Sequence, residues 1–179
     1  RTSNPVFEMA HHLHVPSNVL AATRRHLPAI VLIREPDRAV VSLMVGFSGK
    51  VRLSHLISNY QNFYARLERV LEDCVVSEFE TTVNHPDRVI AAVNTKFNTS
   101  FQTRLPDGVT SDDFHEHASA AAKKRTGTST NIQLLTTPDE RKEVAKVKYR
   151  DAVSRHPKME KLRAQYMKIC AHPSKVIAE

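Results

Sequence analysis

Residues 30–42 read IVLIREPDRAVVS, and the fold turns on how this stretch is read. From Pro28 to Ile33 the chain is continuously apolar and rich in β-branched side chains, and Arg34 ends the run. That is the pattern of a central parallel strand buried on both faces. Pro36 suits a first helical turn, where its missing N–H has no intrahelical use. Asp37 suits the positive end of the helix dipole. The spacing predicts a helix through Val45, broken over 46–49 by Gly46 and Gly49. Arg34 and Ser42 lie eight residues apart and can face the same side of this strand-to-helix junction. A guanidinium fork, free amides at a helix start and a nearby hydroxyl are what an anionic phosphate ligand needs.

Upstream, residues 1–16 are polar and His-rich and lead into His14-Val15-Pro16; Pro16-Ser17-Asn18 can open a helix reaching about His26. Downstream, residues 52–72 carry apolar side chains at helical spacing (Leu53, Leu56, Ile57, Tyr60, Phe63, Tyr64, Leu67, Val70, Leu71), which predicts one long amphipathic helix. Residues 73–79, DCVVSEF, read as a second strand. His85-Pro86-Asp87 opens a helix over 86–97 with Val89, Ile90 and Val93 facing inward. The order helix, strand, helix, helix, strand, helix predicts an α/β fold, a parallel sheet flanked by helices. Residues 98–136 turn polar and read as a partly helical surface segment. Two helices, 138–155 and 157–171, complete a helical C-terminal third.

With 179 residues, 41% of them hydrophobic, the chain suits one domain with a real core. Four glycines and no Trp argue against a turn-dense β fold. The net charge of +7 fits an anionic nucleotide ligand. The basic residues are dispersed, with neither an aromatic RNA-binding motif nor zinc-finger spacing, so nucleic acid is not an expected partner. Cys74 lies in an apolar run and reads as a core thiol, far in sequence from Cys170. Without a disulfide framework the expected compartment is reducing and cytoplasmic. No run reaches the roughly 18 apolar residues of a membrane span.

The stretch R-E-P-D-R-A-V-V-S resembles the R-x-P-x-x-x-x-x-S element of PAPS-dependent sulfotransferases, in which the Arg and Ser hold the donor's 3′-phosphate. L-H-V-P resembles the family's upstream T-H-L-P-like element and sets His14 twenty residues before Arg34. Ser77-Glu78-Phe79-Glu80, His85-Pro86-Asp87 and Lys96-Phe97-Asn98-Thr99 look like degenerate forms of the family's later motifs. The resemblance covers about residues 10–101 and makes 102–179 a mostly helical extension of one domain, 1–179. It implies a P-loop-type fold and transfer of a sulfuryl group from PAPS to a hydroxyl or amine of a small-molecule or carbohydrate acceptor, without a metal. It gives His14 the role of base and assigns Arg34 and Ser42 to the 3′-phosphate. Lys124, Arg125 and Gly127 stand nearest the family's R-K-G element, which grips the same phosphate. The family's Gly-rich 5′-phosphosulfate loop has no counterpart, since the first glycine is Gly46. Together with a first residue, Arg1, that is not Met, this leads us to expect a chain incomplete at its N-terminus. The alternatives are a non-catalytic sulfotransferase-like scaffold or nucleotide-binding protein, and a nucleotide-kinase-type phosphotransferase.

Other constellations are weaker. His11, His12 and His14 could bind a metal, but adjacent histidines cannot all point at one ion without a special backbone, and His115-Glu116-His117 reads as exposed polar helix. Strand alternation would place Glu78 and Glu80 on one face at a sheet edge, as solvated or ion-paired acids. The stretch 47–64 is the expected lining of the acceptor pocket.

Overall fold

Two short parallel strands organise the molecule: β1 (Ile30–Ile33) and β2 (Val75–Glu78) pair from Ile30↔Val75 to Ile33↔Glu78. The structure, a computed structural model, describes residues 15–104, 113 and 140–176. Helix α1 (Pro16–Arg24) precedes β1. Helices α2 (Pro36–Gly46) and α3 (Leu53–Leu67) make the crossover to β2, and α4 (Phe79–Asn84) and α5 (Pro86–Phe97) follow it. Helices α6 (Glu140–Ser154) and α7 (Met159–Cys170) complete the described elements. The class is α/β, mostly helical around a small parallel sheet. None of the described helices is long and apolar enough to cross a membrane.

The helix starts follow the local chemistry anticipated from the sequence. Pro16, Pro36 and Pro86 each open a helix, where fixed φ and a missing donor cost nothing. α2 ends because Ser48 (φ 51°) and Gly49 (φ 69°) turn left-handed. Their amides donate back to Val45 O and Met44 O, both at 2.9 Å, which satisfies carbonyls the helix leaves open.

Three expectations need correction. β1 is not buried on both faces. Val31 and Ile33 are buried, whereas Ile30 and Leu32 are 44% and 42% exposed. Two-sided burial belongs to β2, where Val75, Val76 and Ser77 are all buried. The reason is position: β2 lies between β1 and residues 174–176, whose Val176 amide donates to Val76 O at 2.9 Å. Val75 packs with Val89 and Val93 of α5 and with Val176, and this cover does not extend over Ile30 and Leu32. The second correction concerns residues 52–72, which are α-helical only to Leu67 and continue as a 3₁₀ helix over Glu68–Asp73. A buried stripe of Leu67 and Leu71 continues through both, and over one turn apolar spacing does not separate 3.6 from 3.0 residues per turn. Third, residue 79 is not in a strand: it begins α4, a helix absent from the expected order.

The main core joins the buried faces of β1, α2 and α3 (Ile33, Val40, Ile57, Leu67) to Val153, Met159, Leu162 and Ile169. Those last four come from or next to α6 and α7, so the C-terminal helices are built into the core.

Candidate functional site

Both strands end at the same level, Ile33 beside Glu78, and a cleft of about 420 Å³ opens at their carboxyl ends. Crevices at this end of a parallel sheet are the usual ligand position in open α/β folds. One wall is the β1–α2 junction, a second is the β2–α4 junction, and α7 supplies the third with Arg163, Tyr166 and Met167.

Arg34 sits at the mouth of β1. Its carbonyl accepts a 2.7 Å hydrogen bond from the Tyr60 hydroxyl, and two residues back the Leu32 carbonyl accepts one from Tyr64, also at 2.7 Å. Two tyrosines one turn apart on α3 therefore fix the outer edge of β1. Burial holds both phenols well above the ordinary tyrosine pKa, so they remain donors across the physiological range. The Arg34 guanidinium carbon lies 4.1 Å from the centre of the Phe79 ring. Among the described residues its buried Nε has no hydrogen-bond partner, and no carboxylate pairs with the guanidinium. Burial pulls its pKa below the ordinary guanidinium value, and Glu80 opposes that shift.

The other cations of the cleft are committed. Arg38 reaches Glu80 at 2.8 Å and Glu35 at 3.4 Å. Arg163 forks onto Asp37, Nε to Oδ2 at 2.9 Å and Nη2 to Oδ1 at 2.7 Å. Glu78 is held by Lys175 at 2.6 Å and accepts the Cys170 thiol at 3.1 Å. The Lys175 hydrogen bond, with help from Cys170, lowers the Glu78 pKa. Burial, together with Glu78, pushes the Cys170 thiol up to about 11, so it is a neutral donor here. α2 has no side-chain N-cap, and with Pro at its first position the amides of Asp37 and Arg38 have no intrahelical acceptor.

The structure brings Arg34 into the cleft and leaves Ser42 out. Ser42 stands half-buried on α2, six residues past Pro36, which at 1.5 Å per residue is about 9 Å along the axis, and it does not line the cleft. His14, Lys124, Arg125 and Gly127 lie outside the described residues, as do His11, His12, His115 and His117. Glu78 and Glu80 do not share a sheet face. The chain leaves the strand between them, Glu80 belongs to α4, and each meets a different cation. The stretch 47–64 does not line this cleft: Phe47 is 47% exposed, and Tyr60 and Tyr64 are core residues. Phe79, Arg163 and Tyr166 were not anticipated. Phe79 carried a signal, since it ends the stretch 73–79 that reads as a strand, as Arg34 ends the first apolar run. The other two carried none, because the Arg163–Asp37 pair spans 126 positions.

Comparison with protein-family models, with curated proteins and with solved structures found no match for this chain.

Proposed function

We propose that the chain is a PAPS-dependent sulfotransferase domain of the P-loop type. It moves a sulfuryl group to a hydroxyl or amine of a small-molecule or carbohydrate acceptor in the cytoplasm. The observation that carries the reading is Arg34, a half-buried guanidinium that no carboxylate pairs with among the described residues, at the carboxyl end of a parallel strand. It fits one phosphate group, the donor's 3′-phosphate, with the α2 amides beside it. Because Ser42 lies outside the cleft, phosphate recognition rests on Arg34 and those amides more than on the hydroxyl. Lys124, Arg125 and Gly127 add to the same grip.

In the reaction, His14 takes the proton of the acceptor O–H or N–H. The acceptor atom bonds to sulfur as the bond from sulfur to the bridging phosphate oxygen breaks. That electron pair leaves on adenosine 3′,5′-bisphosphate, so positioning and cationic clamps do most of the work.

The test is calorimetric titration with adenosine 3′,5′-bisphosphate against 5′-AMP. Binding should depend on the 3′-phosphate, and Arg34→Ala should weaken it by roughly 1.5–3 kcal/mol, as for a charged hydrogen bond. His14→Ala should abolish turnover and spare binding. Affinity indifferent to the 3′-phosphate would favour the kinase-type alternative. No binding by the folded chain would favour the scaffold.

A further inference from the structure

An arginine that serves as an anion site must be held still without being neutralised. A carboxylate partner achieves the first and defeats the second. The three arginines of the cleft divide on this point. Arg38 is held by Glu35 and Glu80, and Arg163 by Asp37. Arg34 is held by a ring, with its guanidinium carbon 4.1 Å from the Phe79 centroid. An aromatic face attracts a cation through its quadrupole yet brings no net charge.

We infer that Phe79 is the positioning residue of the anion site: its ring fixes the Arg34 guanidinium where a carboxylate would have cancelled it. The inference rests on reading Arg34 as the phosphate-binding residue. The sheet builds the contact. Ile33 and Glu78 are the last paired residues of two parallel strands, so the next residue of each chain, Arg34 and Phe79, emerges beside the other. Phe79 then leaves the strand as the first residue of α4. The carboxylates nearest in sequence are Glu35, next to Arg34, and Glu80, next to Phe79. Both are taken by Arg38, which keeps them from collapsing onto Arg34. The buried, unpartnered Arg34 Nε is what this arrangement leaves over. A site with one guanidinium that, among the described residues, is in no direct ion pair takes one phosphate or sulfate group, not a polyphosphate chain.

The experiment titrates the full chain with adenosine 3′,5′-bisphosphate in wild type, Arg34→Ala, Phe79→Leu and Phe79→Tyr. The Arg34 Nε–Hε NMR signal of the ligand-free proteins is followed alongside. Phe79→Leu keeps apolar bulk but removes the quadrupole, and should weaken binding about three- to tenfold. It should also abolish the ring-current displacement of the Arg34 Hε signal. Phe79→Tyr should retain both. If Arg34→Ala weakens binding while Phe79→Leu leaves it unchanged, the positioning role is wrong and the phosphate reading stands. If Leu and Tyr weaken binding alike, the ring is acting through packing and the positioning role is again overturned. If Arg34→Ala has no effect, the phosphate reading fails and the role of Phe79 falls with it.

Discussion

Gly46 and Gly49 stand three positions apart at the end of α2, and their surroundings make opposite demands. Gly49 is at φ 69°, and a Cβ there would meet the Tyr149 hydroxyl at 2.7 Å. Gly46 is helical, with nothing within 4 Å of its missing Cβ. Gly49→Ala should therefore destabilise the protein by about 1–2 kcal/mol, from left-handed strain and displacement of Tyr149. Gly46→Ala should stabilise it by about 0.4–1 kcal/mol through the unfolded chain. Urea unfolding of the two variants beside wild type checks both signs. Glu78 gives a matching test in pH. Its pKa is held below the usual carboxylate value, chiefly by Lys175. The folded state thus binds that proton less readily than the unfolded chain. The stabilisation is complete above the unfolded carboxylate range and is lost as pH falls through the lowered folded value. Lys175→Met should be less stable than wild type at pH 7, and the gap should be smaller at pH 3. Melting temperatures at the two values decide it, and a gap undiminished in acid would mean that Lys175 acts by packing.

Helix α5 shows how much of an element its own residues dictate. Pro86 starts it, Val89 and Val93 bury its inner face, and Asn98 ends it in the left-handed region (φ 51°), which Asn tolerates. The Pro86 start and the Val89–Val93 face were readable from spacing and residue type, whereas Ile90, expected on the same face, is only half-buried and stays out of the cluster around Val89 and Val93. The clasp beyond the helix was not readable. The Asn94 side chain accepts from the Phe101 amide (2.8 Å) and the Thr99 hydroxyl (2.9 Å), and donates to the Phe101 carbonyl at 2.8 Å. Asn94→Ala should cost about 2–3 kcal/mol, three partly buried hydrogen bonds at their net worth, and hydrogen exchange of the Phe101 amide should rise. The strands tell the reverse story. Apolar runs announced β1 and β2, but which of them is covered on both faces depends on α5 and residues 174–176, far along the chain, and local pattern carries no trace of that. α4 escaped for a similar reason: six residues are too few to display a period.

The main core draws on both described stretches of chain. Ile33, Val40 and Ile57 pack in the same cluster as Met159, Leu162 and Ile169. The cleft inherits this arrangement, because its walls come from β1–α2, β2–α4 and α7. For that reason only part of the site was legible. Arg34 announced itself by ending an apolar run before Pro36. The α7 wall could not, since nothing near Arg163 or Tyr166 in sequence points to Asp37 or Glu78. The same geometry makes a prediction about cooperativity. Leu162 is fully buried, so Leu162→Ala should cost about 2–5 kcal/mol, whereas Met167→Ala, on the same helix but 64% exposed, should stay within about 0.5 kcal/mol. Since α7 shares its core with α3, the loss in Leu162→Ala should appear in every probe at once. Tyrosine fluorescence, dominated in part by Tyr60 and Tyr64 beneath β1, and far-ultraviolet dichroism should shift to the same lower urea midpoint. Separate midpoints would mean that α7 detaches first and that the cleft is assembled by docking of a semi-independent C-terminal unit.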